Sequence, residues 1–314
     1  MGLEASVVIP VHNEEQLLHA NTLALIKYLS ANLQSYEVVL VENGSLDHSS
    51  AIAKHLADTL DHVCVVHLPQ PSLGEALKEG VLKAKYNNVI YFPIDLSVNL
   101  GFIKLGVERL DEFDVVVGSK RMERGLDRRP YHRRLLSECF HCLVRGLFRT
   151  SLTDTTCVKA FRRDRVLGVF KEVPSCSQVF ETEMLLAAQR LGLKLLELPV
   201  EVNDSRPSRQ PLVFKVRSKL RDLFSLRVDS FAFWFGGAAT IIGLALLVTL
   251  GYEKLMSGQP GFLNPYSFLI AMLLVVSGFQ IIVFGLQANL LLQVRRSVEV
   301  SLSPCNKIGE KEEE

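Results

Sequence analysis

Residues 89–97 of the chain read VIYFPIDLS. An uncharged run this short, rich in β-branched and aromatic residues, is typical of a strand that is buried on both faces, as in a parallel sheet. The run ends at Asp95, and in open α/β sheets the ligand crevice lies at the carboxyl ends of the strands. The stretch therefore predicts that Asp95 lies at a ligand site, together with a cation. The simpler alternative is that Asp95 only caps the turn that follows it.

The rest of the N-terminal half repeats this unit of buried strand, polar tip and helix. The tip at 42–47 reads ENGSLD, in which the Asn-Gly-Ser turn can point backbone N–H groups at an anion and Asp47 is predicted to cap the next helix. Alternating strands and helices argue for an α/β fold with a parallel, doubly wound sheet. We predict strands at 6–11, 37–41, 63–68 and 89–95, a strand and turn at 113–120, and helices at 16–33, 47–60 and from residue 73 onward.

Charge is unevenly distributed along the chain. The 35 basic and 34 acidic residues nearly cancel, so the net charge indicates no partner. The segments 230–252 and 255–294 contain no charged residue, and each exceeds the roughly 20 apolar residues that cross a bilayer. We therefore predict two transmembrane helices within 230–294, between a basic amphipathic helix at 211–229 and a tail at 295–314. Basic residues on both sides of the helix pair predict that the soluble domain and the tail are cytoplasmic.

The six cysteines are scattered and form no paired framework, which is typical of a reducing compartment. Cys139 and Cys142 form a single Cys-x-x-Cys on a predicted helix. Without a second pair or suitably spaced histidines, packing explains these two residues better than a zinc site does.

Three of these motifs, in this order, resemble a known family. They are SVVIPVHNEE at 6–15, VENGSLD at 41–47 and the strand leading into Asp95. The chain resembles the inverting, family-2 nucleotide-sugar glycosyltransferases, and among them the dolichyl- and undecaprenyl-phosphate sugar synthases. The resemblance extends from Ser6 to about residue 209, and the C-terminal helix pair also fits. It implies a GT-A fold, which is Rossmann-like with a doubly wound, mostly parallel sheet, over residues 1–210.

The resemblance implies that the strand tips bind a UDP- or GDP-linked sugar. Pro10, Asn13 and Glu14 would line the base and ribose pocket, with Glu42 and Asn43 beside them where the family usually has two aspartates. A basic loop at 203–210 would cover the donor phosphates. The other donor contacts that the resemblance implies are Val11, Gly44, Ser45, Gly74, Lys78, Ile94, Asp95, Asp154, Arg206 and Arg209.

The family's Asp-x-Asp metal motif is altered in this sequence. Pro93 occupies the first Asp position, Asp95 the second, and Ser97 the position where the family has Gln or Ser. Hard cations such as Mg²⁺ or Mn²⁺ prefer oxygen ligands and often use one or two carboxylates. The resemblance implies that Asp95 and Ser97 hold the metal more weakly than usual. Two hypotheses remain open, a working enzyme with a weakened metal site and a member that has lost turnover.

The acceptor side of the resemblance lies in residues 118–137. Lys120 stands where the family commonly has Arg in Gly-Ser-Arg, and Arg133 and Ser137 are four residues apart on one helix face. The resemblance implies that Lys120, Arg133, Arg134 and Ser137 bind a lipid phosphate. The alternative is a solvated basic helix resting on anionic lipid. The resemblance also implies a set of catalytic residues, which are Asp95, Arg133, Arg134 and Glu183.

The expected function is sugar transfer from a nucleotide sugar to a polyprenyl phosphate at a membrane. A phosphate monoester, with a second pKa of about 6, is largely ionised at neutral pH and attacks without a strong general base. One alternative is a catalytically impaired GT-A protein that acts as a binding platform. Another is transfer to a glycan or lipid hydroxyl, with Glu181 or Glu183 as the base. The expected partners include membrane lipid of the plasma membrane or endoplasmic reticulum but no nucleic acid, and a homo-oligomer is left open.

Overall fold

The computed structural model describes residues 2–123, 127–128, 130–148, 150–173, 179–203, 220, 223, 228–257 and 265–301. The chain forms two compact units, one of residues 1–215 with 299–314 and one of residues 216–298. Arg206, Arg209 and most of the predicted segments at 211–229 and 295–314 lie outside the described residues, as does the side chain of Arg133.

The first unit is built on a seven-stranded sheet. Its spatial order is β3-β2-β1-β4-β6-β5-β7, with β6 antiparallel to both of its neighbours and the other pairs parallel. This mostly parallel sheet confirms the predicted GT-A-like α/β class. The strands are β1 Glu4–Val11, β2 Ser35–Asn43, β3 Val63–Leu68, β4 Asn88–Tyr91, β5 Val115–Ser119, β6 Lys159–Arg162 and β7 Leu195–Pro199.

Helices cover both faces of this sheet. Side chains alternate along β1, so that Ile9 packs in one core cluster and Val8 in the other. Burial on both faces explains why the central strands read as continuous apolar runs. The helices of this unit are α1 Leu18–Asn32, α2 Ser49–Thr59, α3 Leu73–Lys83, α4 Gly101–Arg109, α5 Tyr131–Phe148, α6 Arg163–Glu172 and α7 Phe180–Arg190.

The strand that was predicted to run to Asp95 ends at Tyr91. The N–H of Phe92 still donates to the carbonyl of Val8 at 3.1 Å. Pro93 has no N–H, so the ladder cannot continue through it. The chain then turns through Leu96, which has a positive φ of 49°. Asp95 therefore lies in a turn beyond the strand rather than at its last residue.

The second unit contains α8 Val228–Ser257 and α9 Pro265–Ser301. Each includes a segment long and apolar enough to cross a membrane, Ser230–Met256 and Tyr266–Val294, and most of each segment is exposed. The two helices approach closely, because a Cβ on Gly236 would meet the Gly278 carbonyl oxygen at 2.5 Å. Small residues at a helix contact are typical of membrane helix pairs. These two helices agree with the pair of transmembrane helices predicted within 230–294.

We expect two helical glycines of the first unit to respond oppositely to alanine. A Cβ on Gly80 of α3 would overlap a methyl of Val8 and meet Val41 Cγ2 at 3.0 Å, whereas a Cβ on Gly168 of α6 would meet nothing within 4 Å. Gly80→Ala should lower the free energy of unfolding by about 1–3 kcal/mol through overpacking. Gly168→Ala should raise it by about 0.5–1 kcal/mol. Thermal unfolding followed by circular dichroism measures both, and shifts of the same sign would contradict this packing.

Candidate active site

The tips of β1 and β2 are joined by hydrogen bonds. Asn13, in the left-handed region with φ of 55°, donates its N–H to Ser45 Oγ at 3.1 Å and accepts the Leu46 N–H on Oδ1 at 2.8 Å. The Glu14 N–H donates to Ser49 Oγ at 2.8 Å. These contacts hold together two segments that were predicted from the sequence to bind the donor.

The acidic pair of the second tip is buried and engaged. Glu42 accepts the Ser45 N–H at 2.6 Å and lies 3.3 Å from His67 Nδ1. Burial alone would raise the pKa of Glu42, but these bonds with Ser45 and His67 lower it on balance, so the carboxylate stays charged. Asn43 Oδ1 accepts the N–H of Ser72, the N-cap of α3, at 2.7 Å. The pair thus fixes the tip as well as offering polar groups to a ligand.

Asp95 and Ser97 share one tight turn. Asp95 Oδ1 accepts the Ser97 N–H at 2.9 Å. Within the described parts of the chain, no three His, Cys, Asp or Glu side chains form a group that could hold a metal by themselves. One carboxylate and one hydroxyl do fit a Mg²⁺ or Mn²⁺ ion that takes its remaining ligands from substrate phosphates and water.

A cavity of about 170 Å³ opens beside this turn. The turn contributes Pro93 and Ser97 to its wall, and β5 contributes Lys120 just after its last residue. The structure therefore brings a predicted metal ligand and a predicted acceptor ligand to one space. The lining residues are Tyr91, Pro93, Ser97, Val98, Lys120, Thr156, Cys157, Val158 and Val202.

Lys120 forms a buried ion pair with Asp154. Its Nζ lies 2.5 Å from Asp154 Oδ2, and Arg121 Nη1 lies 3.5 Å from the other carboxylate oxygen. Burial raises the pKa of Asp154, but the charges of Lys120 and Arg121 and the bonds from Lys120 and Thr156 together lower it to about 2. Asp154, predicted as a donor contact, is thus a buried counter-ion for two cations.

Arg121 is a central residue of the site that the sequence reasoning missed. Its Nε donates to Glu138 Oε1 at 2.9 Å, its Nη1 to the Thr153 carbonyl at 3.0 Å and its Nη2 to Ser137 Oγ at 2.6 Å. Arg121 therefore ties α5 to the loop before β6, and Ser137, a predicted acceptor ligand, already accepts one of its bonds. The adjacent cations in GSKR at 118–121 were the available signal.

Glu197 of β7 was also missed. Its carboxylate accepts the N–H groups of Thr153 and Asp154, at 2.8 and 3.1 Å respectively. These bonds fix the backbone that carries the buried Asp154. Its sequence context, LLELP at 195–199, indicates only a strand.

A second buried ion pair joins β6 to α7. Lys159 Nζ lies 2.6 Å from Glu181 Oε1, donates to the Cys157 carbonyl at 2.7 Å and sits 5.4 Å from the ring centroid of Tyr91. Lys159 is fully buried, so the ammonium depends on these partners. Glu183, two residues further along α7, is buried.

The remaining predicted site residues differ in their burial and hydrogen bonding. Lys78 is buried in α3 with Gly74, and its Nζ donates to the Val173 carbonyl. The Ile94 carbonyl accepts from Asn21 Nδ2 at 2.9 Å. Arg134 is exposed on α5. Pro10 and Val11 end β1, and Gly44 turns with a φ of 63° after β2. Their ligand contacts stay predictions, as do those of Arg133, Arg206 and Arg209.

The family profile described as Glycosyl transferase family 2 matches residues 6–169. The chain belongs to this family. Among solved structures, glucosyl-3-phosphoglycerate synthase from Mycobacterium tuberculosis, in complex with Mn²⁺, UDP and glucosyl-3-phosphoglycerate, superposes with a TM-score of 0.53 at 20% identity. That superposition covers 70% of this chain and 78% of that one and shows the shared fold. The same synthase has also been crystallised with Mg²⁺ and UDP.

Several curated relatives of this family-2 chain are named for sugar transfer to a lipid phosphate. A dolichyl-phosphate β-glucosyltransferase of Drosophila melanogaster is 28% identical, over 72% of this chain and 75% of that one. The undecaprenyl-phosphate 4-deoxy-4-formamido-L-arabinose transferase of Edwardsiella ictaluri is 26% identical, over 90% and 86%. Glycosyltransferase AglD of Haloferax volcanii is 30% identical over 68% of this chain, and the match spans 35% of AglD. These relatives confirm the resemblance seen in the motifs.

We expect Lys120→Met to lower the stability of the protein at neutral pH and to reduce the further loss of stability between about pH 4 and pH 2. The folded pKa of Asp154, about 2, lies below its unfolded value, so its contribution to stability is present above about pH 4 and lost as the pH falls toward 2. Removing Lys120 raises that folded pKa and leaves a buried charge with less compensation, which should cost about 3–5 kcal/mol at neutral pH.

Thermal unfolding of the full chain over a series of acidic pH values measures this effect. Lys104→Met, at an exposed position of α4, is the matched control and should leave the acid limb unchanged. An unaltered acid limb in Lys120→Met would show that the ion pair does not set the pKa of Asp154.

Proposed function

We propose that this family-2 chain transfers a sugar from a nucleotide sugar to a polyprenyl phosphate at a membrane surface. The observation that carries the proposal is the cavity lined by Ser97, which bonds to Asp95, and by Lys120, in a chain that also has two candidate spanning helices. Such an enzyme needs a polar pocket for a water-soluble donor and cations for a lipid-linked anion. The names of the Drosophila and Edwardsiella relatives support the same class of acceptor.

The donor is proposed to bind across the tips of β1 and β2. The charged Glu42 and the αL turn at Asn13 offer hydrogen-bonding groups for a ribose and a base, and either UDP or GDP is compatible with them. Asp95 and Ser97 would hold Mg²⁺ or Mn²⁺, which neutralises charge on a departing nucleoside diphosphate. We propose that Arg206 and Arg209 of the basic segment 203–210 assist.

The acceptor is proposed to be a phosphate rather than a hydroxyl. A lipid phosphate is already an anion at neutral pH, so the protein needs to position it and not to deprotonate it. Lys120, Arg133, Arg134 and Ser137 are the proposed phosphate ligands. A hydroxyl acceptor would need a carboxylate base. Of the two candidate bases, Glu181 is engaged by Lys159 at 2.6 Å and Glu183 is buried, so neither carboxylate is a free surface base, which favours the phosphate acceptor.

We propose that the catalytic unit and the tail lie on the cytoplasmic side of the membrane. Basic residues are concentrated in 214–227 and at 295–296, on the two sides of the helix pair in the sequence, and residues 258–264 between α8 and α9 include none. The supply of nucleotide sugars in the cytoplasm fits this orientation. A protease added to sealed vesicles tests this cytoplasmic placement. The 214–227 segment should be cleaved where the cytoplasmic face is outward and protected where that face is inward.

The acceptor class can be tested with the full-length chain in detergent. A radiolabelled nucleotide sugar is offered with Mn²⁺ and either a short polyprenyl phosphate or the corresponding polyprenyl alcohol. Sugar transfer to the phosphate alone supports the proposal, and transfer to the alcohol would replace it with a hydroxyl transferase. Donor binding without transfer to either acceptor would favour the non-catalytic platform that Pro93 suggests.

We expect Asp95→Asn to reduce transfer to the lipid phosphate by about 10²–10³-fold, because one charged group that compensates the diphosphate is lost. Asp111→Asn, at an exposed position just after α4, is the matched control and should keep full activity. Initial rates at saturating acceptor measure the change. Wild-type transfer by Asp95→Asn would remove Asp95 from the reaction.

A further inference from the structure

The second helix of the apolar pair, α9, carries two amide side chains on a face that α8 does not cover. Gln280 is the middle residue of the 29-residue apolar segment Tyr266–Val294, and Gln287 lies seven residues further along. Both side chains are exposed. Among the residues that the structure describes, neither amide has a hydrogen-bonding partner. The centre of an otherwise apolar span therefore holds polar groups that α8 does not satisfy.

The contact with α8 lies on the opposite side of α9. A Cβ on Gly278 would meet a backbone oxygen of α8 at 2.6 Å, so this glycine faces α8 directly. Ala271 and Gly285, each seven residues from Gly278, are buried on the same side. At 3.6 residues per turn, Gln280 projects about 160° away from Gly278 around the helix axis. The two glutamines therefore face away from α8.

The exposed residues around these amides are spaced three and four residues apart. Leu273 and Phe284 are each 65% exposed, and Leu291 is 72% exposed. Helices that pack side by side along a seam repeat their contact residues with this spacing. We call this set the outer seam of α9. It consists of Leu273, Val276, Gln280, Phe284, Gln287 and Leu291.

We propose that the outer seam packs against the outer seam of a second copy of this chain within the membrane. Gln280 lies about 21 Å along the helix from either end of the span, and the hydrocarbon core is about 30 Å thick. An amide at that depth reaches neither water nor headgroups, and lipid tails offer it no hydrogen bond. Polar side chains inside a membrane face other helices and bond across the contact. Another spanning helix is therefore the partner that Gln280 requires.

The symmetry of insertion favours an identical helix as that partner. All copies insert with the same orientation, so the axis that relates two of them runs along the membrane normal. A residue at this axis meets its own counterpart. Because an amide both donates and accepts a hydrogen bond, Gln280 can satisfy Gln280 of the second copy, and Gln287 can do the same. The proposal depends on α9 crossing a membrane and not on sugar transfer.

Association can be measured with the full-length chain in lipid vesicles. Copies that carry a donor or an acceptor fluorescent protein after the last residue are mixed, and energy transfer is followed as the ratio of protein to lipid is lowered. Gln280→Leu and Gln287→Leu should each weaken association by about threefold to thirtyfold, the range for one hydrogen bond between membrane helices. Both changes make the span more apolar, so insertion is retained.

Two further variants separate the amide from its position. Gln293→Leu removes the same group from an exposed place on α9 outside the outer seam and should leave the association unchanged. Gln280→Asn keeps an amide in the seam and should keep most of the association that Gln280→Leu loses.

Two phenylalanines with nearly equal exposure provide a position-specific test. Phe284 lies in the outer seam at 65% exposure, and Phe279 lies outside it at 64%. The six native cysteines are replaced by serine, and one cysteine is introduced as Phe284→Cys or Phe279→Cys. Oxidation should cross-link two copies at least about fivefold more at position 284, because seam residues of a symmetric pair lie near their counterparts. If the serine background does not fold, energy transfer with the native cysteines decides.

Wild-type chains that stay monomeric at the highest ratio of protein to lipid would overturn the proposal. So would unchanged association in the chain that carries both leucines, or equal cross-linking at positions 279 and 284. None of these measurements uses transferase activity, so they can fail or succeed independently of the proposed function.

Discussion

Asp154 is buried between Lys120 and Arg121, and its ionised carboxylate joins segments that lie far apart in the sequence. Lys120 and Arg121 follow β5, Asp154 lies in the loop before β6, and Glu197 of β7 holds the backbone N–H of Asp154. A buried charge must keep its partners, because losing one leaves the desolvation cost without compensation. The geometry around the cavity therefore depends on this one group.

The parts of the fold that local pattern determines were predictable from the sequence. The apolar runs and polar tips of β1, β2 and β3 appear where the sequence placed them. The N-cap of α2 is His48 rather than the predicted Asp47, whose carboxylate accepts the Ser49 N–H from one residue before that cap. The antiparallel β6 was not foreseen, since its four residues carry no strand signature of their own. Its place depends on pairing with β4 and β5, which is a long-range property.

The candidate site was predictable only in part for a related reason. Motifs at strand tips reveal residues such as Asn13 and Asp95, whose positions follow from where a strand ends. Arg121 and Glu197 bond to partners on other elements, and no single stretch of sequence predicts such a long-range contact. The second buried pair, Lys159 with Glu181, is of the same kind. Together these ion pairs hold the polar groups of the cavity in place before a ligand arrives, which is the arrangement that electrostatic catalysis requires.

The position of β6 determines when the sheet can close while the chain is being synthesised. β6 is the only bridge between the β3-β2-β1-β4 half of the sheet and the β5-β7 pair among the strands described. Until residues 159–162 leave the ribosome, the outer edge of β4 has no neighbour, and an unpaired edge invites association with other chains. Both β6 and β7 precede α8 in the sequence, so the sheet can close before the first apolar helix emerges. Translation order thus lets the unit that contains the sheet fold before the two candidate membrane-spanning helices are synthesised.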